Sequence, residues 1–272
     1  MAEETEESGG GEQVQEARRR ASPSAEVVYE AVRAEGLAEL ERSSAALAWS
    51  GIAAGLSMGF SLVAQGLLKA RLPDTAWAPL LVRLGYSVGF LVVVLGRQQL
   101  FTENTLTPMV PLLAEKTRDK LRNVLRLWSA VFVANMLGTL LFALALARLA
   151  VVEPDIKRAL SDIASEAMRH GWGTTFLHAI YAGWIIALLV WVLPGAEHNK
   201  VAVIVVMTWL IAAGGFAHVI AGSSEVFYAA WRGEASWADA LAGFVLPSLI
   251  GNMVGGITLV AALNHAQATA GE

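Results

Sequence analysis

The chain has 272 residues, 55% of them hydrophobic and 16% charged, with a formal net charge of −4 and no cysteine. Soluble domains carry about 25% charged residues, so an ordinary water-soluble domain is excluded. Disulfides and thiolate metal sites are excluded too, and no polybasic block points to nucleic acid. Met1 to about Gln15 is acidic and polar, with no apolar run behind a basic start. It reads as a disordered tail rather than a cleavable signal peptide. Ser22-Pro23 predicts a helix start, with Pro at the first helical position and Glu26 in the first turn. That helix runs to about Arg42 and is weakly amphipathic through Val28, Val32, Leu37 and Leu40.

Six apolar segments follow: Leu47–Leu68, Leu80–Leu95, Leu127–Leu146, Phe176–Leu193, Val201–Tyr228 and Leu241–Leu263. About 20 apolar residues cross a bilayer core; the second segment is short. The predicted architecture is an all-α membrane protein with six transmembrane helices. A tail with a short amphipathic helix (1–45) precedes the six-span domain (46–265), and a second tail (266–272) follows it. The compact cluster Lys116, Arg118, Lys120, Arg122 and Arg126 places both termini in the cytoplasm. Most tryptophans, among them Trp49, Trp77, Trp128, Trp172, Trp191, Trp231 and Trp237, flank spans as interfacial belts do.

Two fragments repeat across the spans: Asn135-Met136-Leu137-Gly138 in the third and Asn252-Met253-Val254-Gly255 in the sixth. With three spans per half, the second half enters the membrane from the opposite face, which is the geometry of an inverted repeat with its site between the halves. Asn135 and Asn252 read first as interhelical hydrogen-bonding residues, beside glycines that let backbones approach. Shifting Phe101-Thr102-Glu103-Asn104 by a similar offset lands beside His218.

Spans two and five both look interrupted. After Leu95 comes Gly96-Arg97-Gln98-Gln99-Leu100-Phe101-Thr102-Glu103-Asn104-Thr105, then a return to apolar residues at Leu106–Leu113 that includes Pro108 and Pro111. A half helix, an unwound loop folded into the membrane and a second short helix are expected. Such backbone is tolerated only where it is buried or lines a cavity. Span five has weak points at Gly214-Gly215 and Gly222-Ser223-Ser224. Breaks of this kind bring positive helix ends toward the midplane, where Thr102, Ser223, Ser224 and His218 would supply further donors. That suits a small anion or weak acid, and no carboxylate cage for a hard cation is visible.

His218 is the residue that most needs explaining, because ionisable side chains inside membranes are rare and usually face a pathway or a partner. Gly222 and Glu225 lie four and seven residues on and share its helical face if the helix is continuous. Glu225 reads either as a partner of Arg97 or as a vestibule group at the water boundary. Glu103 and Arg97 read as buried partners, and His178 as a helix contact.

Together these motifs resemble the formate/nitrite transporter family over about residues 45–265. The loop Gln99-Leu100-Phe101-Thr102-Glu103-Asn104 is similar to that family's Leu-Phe-Thr element. Gly215-Phe216-Ala217-His218 is similar to its Gly-Phe-Glu-His element, and Asn135-Met136-Leu137-Gly138 fits as well. The resemblance implies an aquaporin-like inverted repeat with helices two and five interrupted, one pore per protomer and a homopentamer in a bacterial inner membrane. It implies constrictions lined by Tyr86, Phe90 and Ile211, Thr102 facing His218, and no cofactor. The chain departs from the pattern at Gln99, Glu103 and Ala217. Gly171, beside Arg169 and His170, falls near a lysine of the family, and Ala187 near an asparagine. These differences change the charge around the pore, and the segment His218-Val219-Ile220-Ala221-Gly222-Ser223-Ser224-Glu225 resembles a poorly characterised bacterial branch of the family.

The function expected is passage of small monovalent anions or their neutral acids. The alternatives are a membrane protein that keeps the fold without transporting, or a neutral-solute channel, although the paired Asn-Pro-Ala loops of water channels are missing. A serine protease would need a Gly-x-Ser-Gly elbow, and Gly222-Ser223-Ser224-Glu225 does not supply one, so no enzyme is expected.

Overall fold

The computed structural model describes residues 23–149, 151–196, 198–263 and 266–267. The expected tail to Gln15 and most of the tail after 265 lie outside the described residues. Those described form helices, turns and loops, with no strand among them.

In chain order these are α1 (Ala25–Glu41), α2 (Ser44–Arg71), α3 (Ala78–Leu95, with a 3-10 turn at Arg83–Tyr86), α4 (Met109–Ala114) and α5 (Arg118–Arg148). Then come α6 (Pro154–Ala167), α7 (Trp172–Val192), α8 (Lys200–Ala213), α9 (Val219–Arg232) and α10 (Asp239–Gly256). The first part of α10, Asp239–Val245, is a π-helical turn, and a second one, Ile257–Ala262, follows it. Among the described residues five helices are long and apolar enough to cross a membrane: α2, α3, α5, α7 with its 3-10 extension to Gly195, and α10. The expected fifth segment, Val201–Tyr228, is divided here into α8 and α9, with the turn 214–218 between them. A belt of large apolar side chains, Phe60, Val133 and Val206 among them, points away from the protein. Continuous apolar surface of this kind marks contact with lipid or a partner protein.

The sequence expectation for α1 needs a small correction. Its cap is Ser24, whose side chain accepts from the Val27 N–H, so the helix begins two residues past Pro23. The reason is local: a serine oxygen reaches the N–H three residues on and satisfies an otherwise orphaned donor. Tyr29, Val32 and Leu40 are buried. Arg126 closes the other end, donating to the carbonyls of Leu40 at 2.7 Å and Arg42 at 2.8 Å. The helix thus lies against one end of the bundle, called the near face below. α6 lies at the opposite end, the far face, where its Leu160 and Ile156 side chains meet Gly66 of α2.

Two helix pairs form the frame. α2 crosses α5 so closely that a methyl on Gly55 would sit 2.3 Å from the Asn135 carbonyl oxygen, and one on Gly138 would sit 2.5 Å from that of Ile52. α7 crosses α10 in the same way: a methyl on Gly183 would sit 2.2 Å from the Asn252 carbonyl oxygen, and one on Gly255 2.1 Å from that of Ile180. Small residues at helix crossings replace the hydrophobic drive that lipid cannot supply.

Candidate functional site

The two asparagines of the repeated fragment are fully buried and do one job each. Asn135 donates through Nδ2 to the carbonyls of Gly51 (2.8 Å) and Gln99 (2.9 Å), and its Oδ1 accepts the Phe101 N–H at 2.9 Å. Asn252 donates to the carbonyls of Ala179 (2.7 Å) and Ala217 (2.9 Å), and its Oδ1 accepts the Val219 N–H at 2.8 Å. Each amide therefore ties an unwound segment to the neighbouring long helix. Buried backbone N–H and C=O groups without a strand or helix ladder need such partners.

These ties bring Thr102 and His218 together. Thr102 Oγ1 lies 2.8 Å from His218 Nε2, although 116 residues separate them. His218 is the N-cap of α9 and its Nδ1 accepts the Ala221 N–H at 3.1 Å. A ring nitrogen that accepts carries no proton, so the imidazole proton sits on Nε2 and is donated to the threonine oxygen. The N–H groups of Val219 and Ala221, which a free helix end would offer to an anion, are taken by Asn252 and His218. The Phe90 ring stands edge-on to the imidazole at 5.0 Å, and Tyr86 leans on Phe90 at 5.3 Å.

On the far side of His218 opens a cavity of about 70 Å³, lined by Tyr86, His218, Gly222 and Glu225 together with Gln65, Arg83, Glu166, Arg169, His170 and His178. One water needs about 15 Å³ on this measure, so the space admits a few waters or one small acid. Phe244 also lines it, packed onto Gly222, and continues into a wider basin of about 740 Å³ bounded by Ser161, Asp162, Trp172, Glu234 and Asp239. Arg83 is paired with Glu166 and also donates to Gln65 Oε1 at 3.4 Å. Arg169 Nε donates to His170 Nε2 at 2.9 Å, and His178 donates through Nδ1 to the Gly215 carbonyl at 3.1 Å. Partial burial, with Arg169 and His178 adjacent, lowers the His170 imidazole below its ordinary value.

Four of the residues singled out from the sequence, Tyr86, His218, Gly222 and Glu225, meet in this cavity. Thr102 and Phe90 stand directly behind His218 and are buried. Ile211 is buried in the main apolar cluster, and its neighbour Ala212 lines the cavity instead. Ser223 turns its hydroxyl back to the Val219 carbonyl of its own helix, the usual way a mid-helix serine satisfies itself. Asn135 and Asn252 are fasteners. Glu103 is half-buried at the near-face end of the span-two loop. Arg97 does not meet Glu225: it reaches Glu35 of α1 at 3.5 Å, is 83% exposed, and has φ 50°. Glu225 instead accepts from Gln65 Nε2 at 3.5 Å. The reason is position, since Arg97 follows α3 to the near face while Glu225 lies two turns toward the far face.

Sequence reasoning missed Gln65, Arg83 and Glu166. A glutamine within the apolar run Leu62-Val63-Ala64-Gln65-Gly66-Leu67 was a usable signal; the Arg83–Glu166 pair was not, because nothing local links the two.

Comparison with known proteins places this geometry. Residues 25–266 match the family model described as formate/nitrite transporter. Inner membrane protein YfdC of Escherichia coli (strain K12) is 39% identical over 264 residues, covering 97% of this chain and 85% of that protein. Formate channel BtFdhC of Bacillus thuringiensis is 28% identical over 244 residues, covering 87% of this chain and 90% of that protein. Among solved structures, an FNT family ion channel superposes with a TM-score of 0.74 at 18% identity, covering 89% of this chain and 98% of that one. A pentameric formate channel with formate bound gives 0.63 at 20% identity, covering 81% and 95%. The fold is thus shared well beyond recognisable sequence, and the chain belongs to the formate/nitrite transporter family.

Proposed function

We propose that this chain is a channel or transporter for small monovalent anions and their neutral acids, with one pore per protomer passing His218. The observation that carries the reading is the Thr102–His218 contact, made between two unwound segments and opening onto a cavity on one side. On this reading α3 with α4, and α8 with α9, are two interrupted spans, which makes six in all. The matching bonds of Asn135 and Asn252 support an inverted repeat. The names of the relatives support the substrate class, a homopentamer and a bacterial inner membrane. The basic cluster Lys116, Arg118, Lys120, Arg122 and Arg126 supports α1 and both termini on the cytoplasmic side.

The physics favours a neutral solute at the narrowest point. Desolvating a bare carboxylate costs tens of kcal/mol in the idealised limit. Protonating an acid whose pKa lies about three units below ambient pH costs only ~4 kcal/mol at 1.36 per unit. The Tyr86–Phe90 collar therefore passes the acid, and the Arg83 and Arg169 side chains around the cavity gather its anion beforehand. His218 acts as a fixed donor.

Full-length protein in proteoliposomes tests this with radiolabelled formate, nitrite, acetate and lactate. His218→Asn keeps an N-cap residue but withdraws the ring from Thr102. Uptake of at least one of these solutes by the wild type, reduced about tenfold or more in the variant, is expected. An assembled wild type that moves none of them, or a variant that moves them equally well, refutes the reading.

A further inference from the structure

If a solute crosses as the neutral acid, it takes its proton either from bulk water or from the protein, and His218 is already committed. Its Nδ1 is occupied by the Ala221 N–H and its one proton faces Thr102. A second ring proton would have to sit on Nδ1 and would break the cap of α9.

Glu225 has none of these commitments. It lies seven residues after His218 on the same helix face, is 9% exposed, and lines the same cavity as Tyr86 and Gly222. Among the described residues no Lys, Arg or His forms an ion pair with it. Arg83, the nearest candidate on span two, is turned to Glu166. Glu225 receives a single hydrogen bond, the long one from Gln65, whose own oxygen is held by Arg83. Gln65 therefore positions the carboxyl without neutralising it. A buried carboxylate whose neighbouring cation, Arg83, is spent on Glu166 is costly to keep ionised, so a site built this way needs a functional explanation.

The groups that face Glu225 come from every side. Tyr86 and Arg83 belong to α3, Glu166 and Arg169 to α6 and the turn after it, and His170 and His178 to the start of α7. His218, Tyr228 and Arg232 lie on or beside α9 itself, and Lys69 of α2 is paired with Asp162. The stretches 127–147 of α5 and 246–256 of α10 carry no charged residue.

We infer that Glu225 is the proton-exchanging residue of the far-face vestibule, acting on a small monovalent carboxylate. This rests on the transport reading above. In the step, the O–H bond of the Glu225 carboxyl breaks and an O–H bond forms on the incoming carboxylate. Glu225 is left as the anion, the solute continues past Tyr86 and Phe90 as the neutral acid, and Glu225 recovers a proton from hydronium in the wider basin. One proton moves with each anion, nothing is oxidised or reduced, and export runs the same step backwards.

The test is radiolabelled formate uptake into proteoliposomes at an external pH of about 7.5 and about 5.5, for wild type, Glu225→Gln and Glu225→Asp. The glutamine keeps the size and the Gln65 contact but carries no exchangeable acid. It should slow uptake about tenfold or more at the higher pH, in line with the usual worth of a positioned acid. The deficit should shrink at the lower pH, because each unit supplies tenfold more preformed neutral acid. Asp should keep the wild-type pH profile at a reduced rate, and it serves as the comparison if the glutamine variant fails to assemble. Equal deficits at both pH values, wild-type behaviour of Glu225→Gln, or loss of the profile in Glu225→Asp overturns the inference while leaving the transport reading intact. Absence of wild-type flux overturns both.

Discussion

The two asparagine-fastened segments are built alike and used differently. In the first half, Asn135 ties 99–101 to α2, and the chain continues into a 3-10 turn at Glu103–Thr105 and the six-residue α4. In the second, Asn252 ties 217–219 to α7, and a 14-residue helix begins at once. Pro108 and Pro111 account for part of the contrast, since each removes a backbone donor. The first segment is also covered: Gly36 of α1 packs on the Thr107 carbonyl, and Glu39 of α1 accepts from the Thr107 hydroxyl and from Gln99 Nε2 at 3.2 Å. The second opens onto a cavity. One construction thus anchors α1 on the near face and borders an open cavity on the far face.

If the two halves are mechanically equivalent, equivalent lesions should cost the same. Asn135→Ala and Asn252→Ala each remove three buried bonds and leave one carbonyl (Gln99 or Ala217) and one N–H (Phe101 or Val219) unpaired. At about 1–3 kcal/mol per unsatisfied group, each should lower the detergent melting temperature severely and to a similar extent. A much milder effect of one of them, in thermal unfolding of the purified protein, would break the equivalence.

The crossings behind the asparagines give a smaller effect. Gly55→Ala and Gly183→Ala each push a methyl to within 2.3 Å of an asparagine carbonyl oxygen. Overpacking of this kind costs about 1–3 kcal/mol, and the same melting assay should show matched decreases.

The smallest effect sharpens the difference between the halves. Burial pushes the Glu39 carboxyl up from 4.5 to about 7, against the opposing hydrogen bonds from Thr107 and Gln99. With the docked value raised, the undocked helix loses its proton first, so docking is strongest below about pH 4.5. It weakens as pH rises toward 7 and changes little above that. Discounted for partial exposure, the swing is about 1–2 kcal/mol. Protection of the α1 amides against hydrogen exchange, relative to the intrinsic rate at each pH, should be greater at about pH 5 than at about pH 8. Glu39→Gln should flatten that difference, and a pH-dependent difference that persists in the variant would sink the assignment.

Much of this arrangement was legible from residues alone, for physical reasons. Apolar runs of bilayer length declare helices in lipid, and an Asn-Met-x-Gly pair 117 residues apart declares repeated crossings, because only glycine tolerates that approach. The nearness of Thr102 and His218 followed from the offset together with the family motif. What stayed hidden depends on distant chain coming together. Gln65 meets Glu225 across 160 residues, and Arg83 meets Glu166 across 83. The amphipathic α6, with Ile156, Leu160 and Ile163 buried, sits between two spans in a stretch to which the apolar pattern assigns no element. The π-helical turn at the start of α10 has no sequence signature at all, since it is a change of hydrogen-bond register rather than of composition.

Phe244, set in that widened turn, has a consequence for the two cavities it borders. Its ring rests on Gly222 at a distance no other residue would permit, and it borders both the broad basin and the small chamber. A methyl at position 222 would meet that ring at 2.3 Å, so any side chain there would push the ring out of its seat. The boundary between basin and chamber is therefore one flat aromatic ring, seated where position 222 offers no side chain.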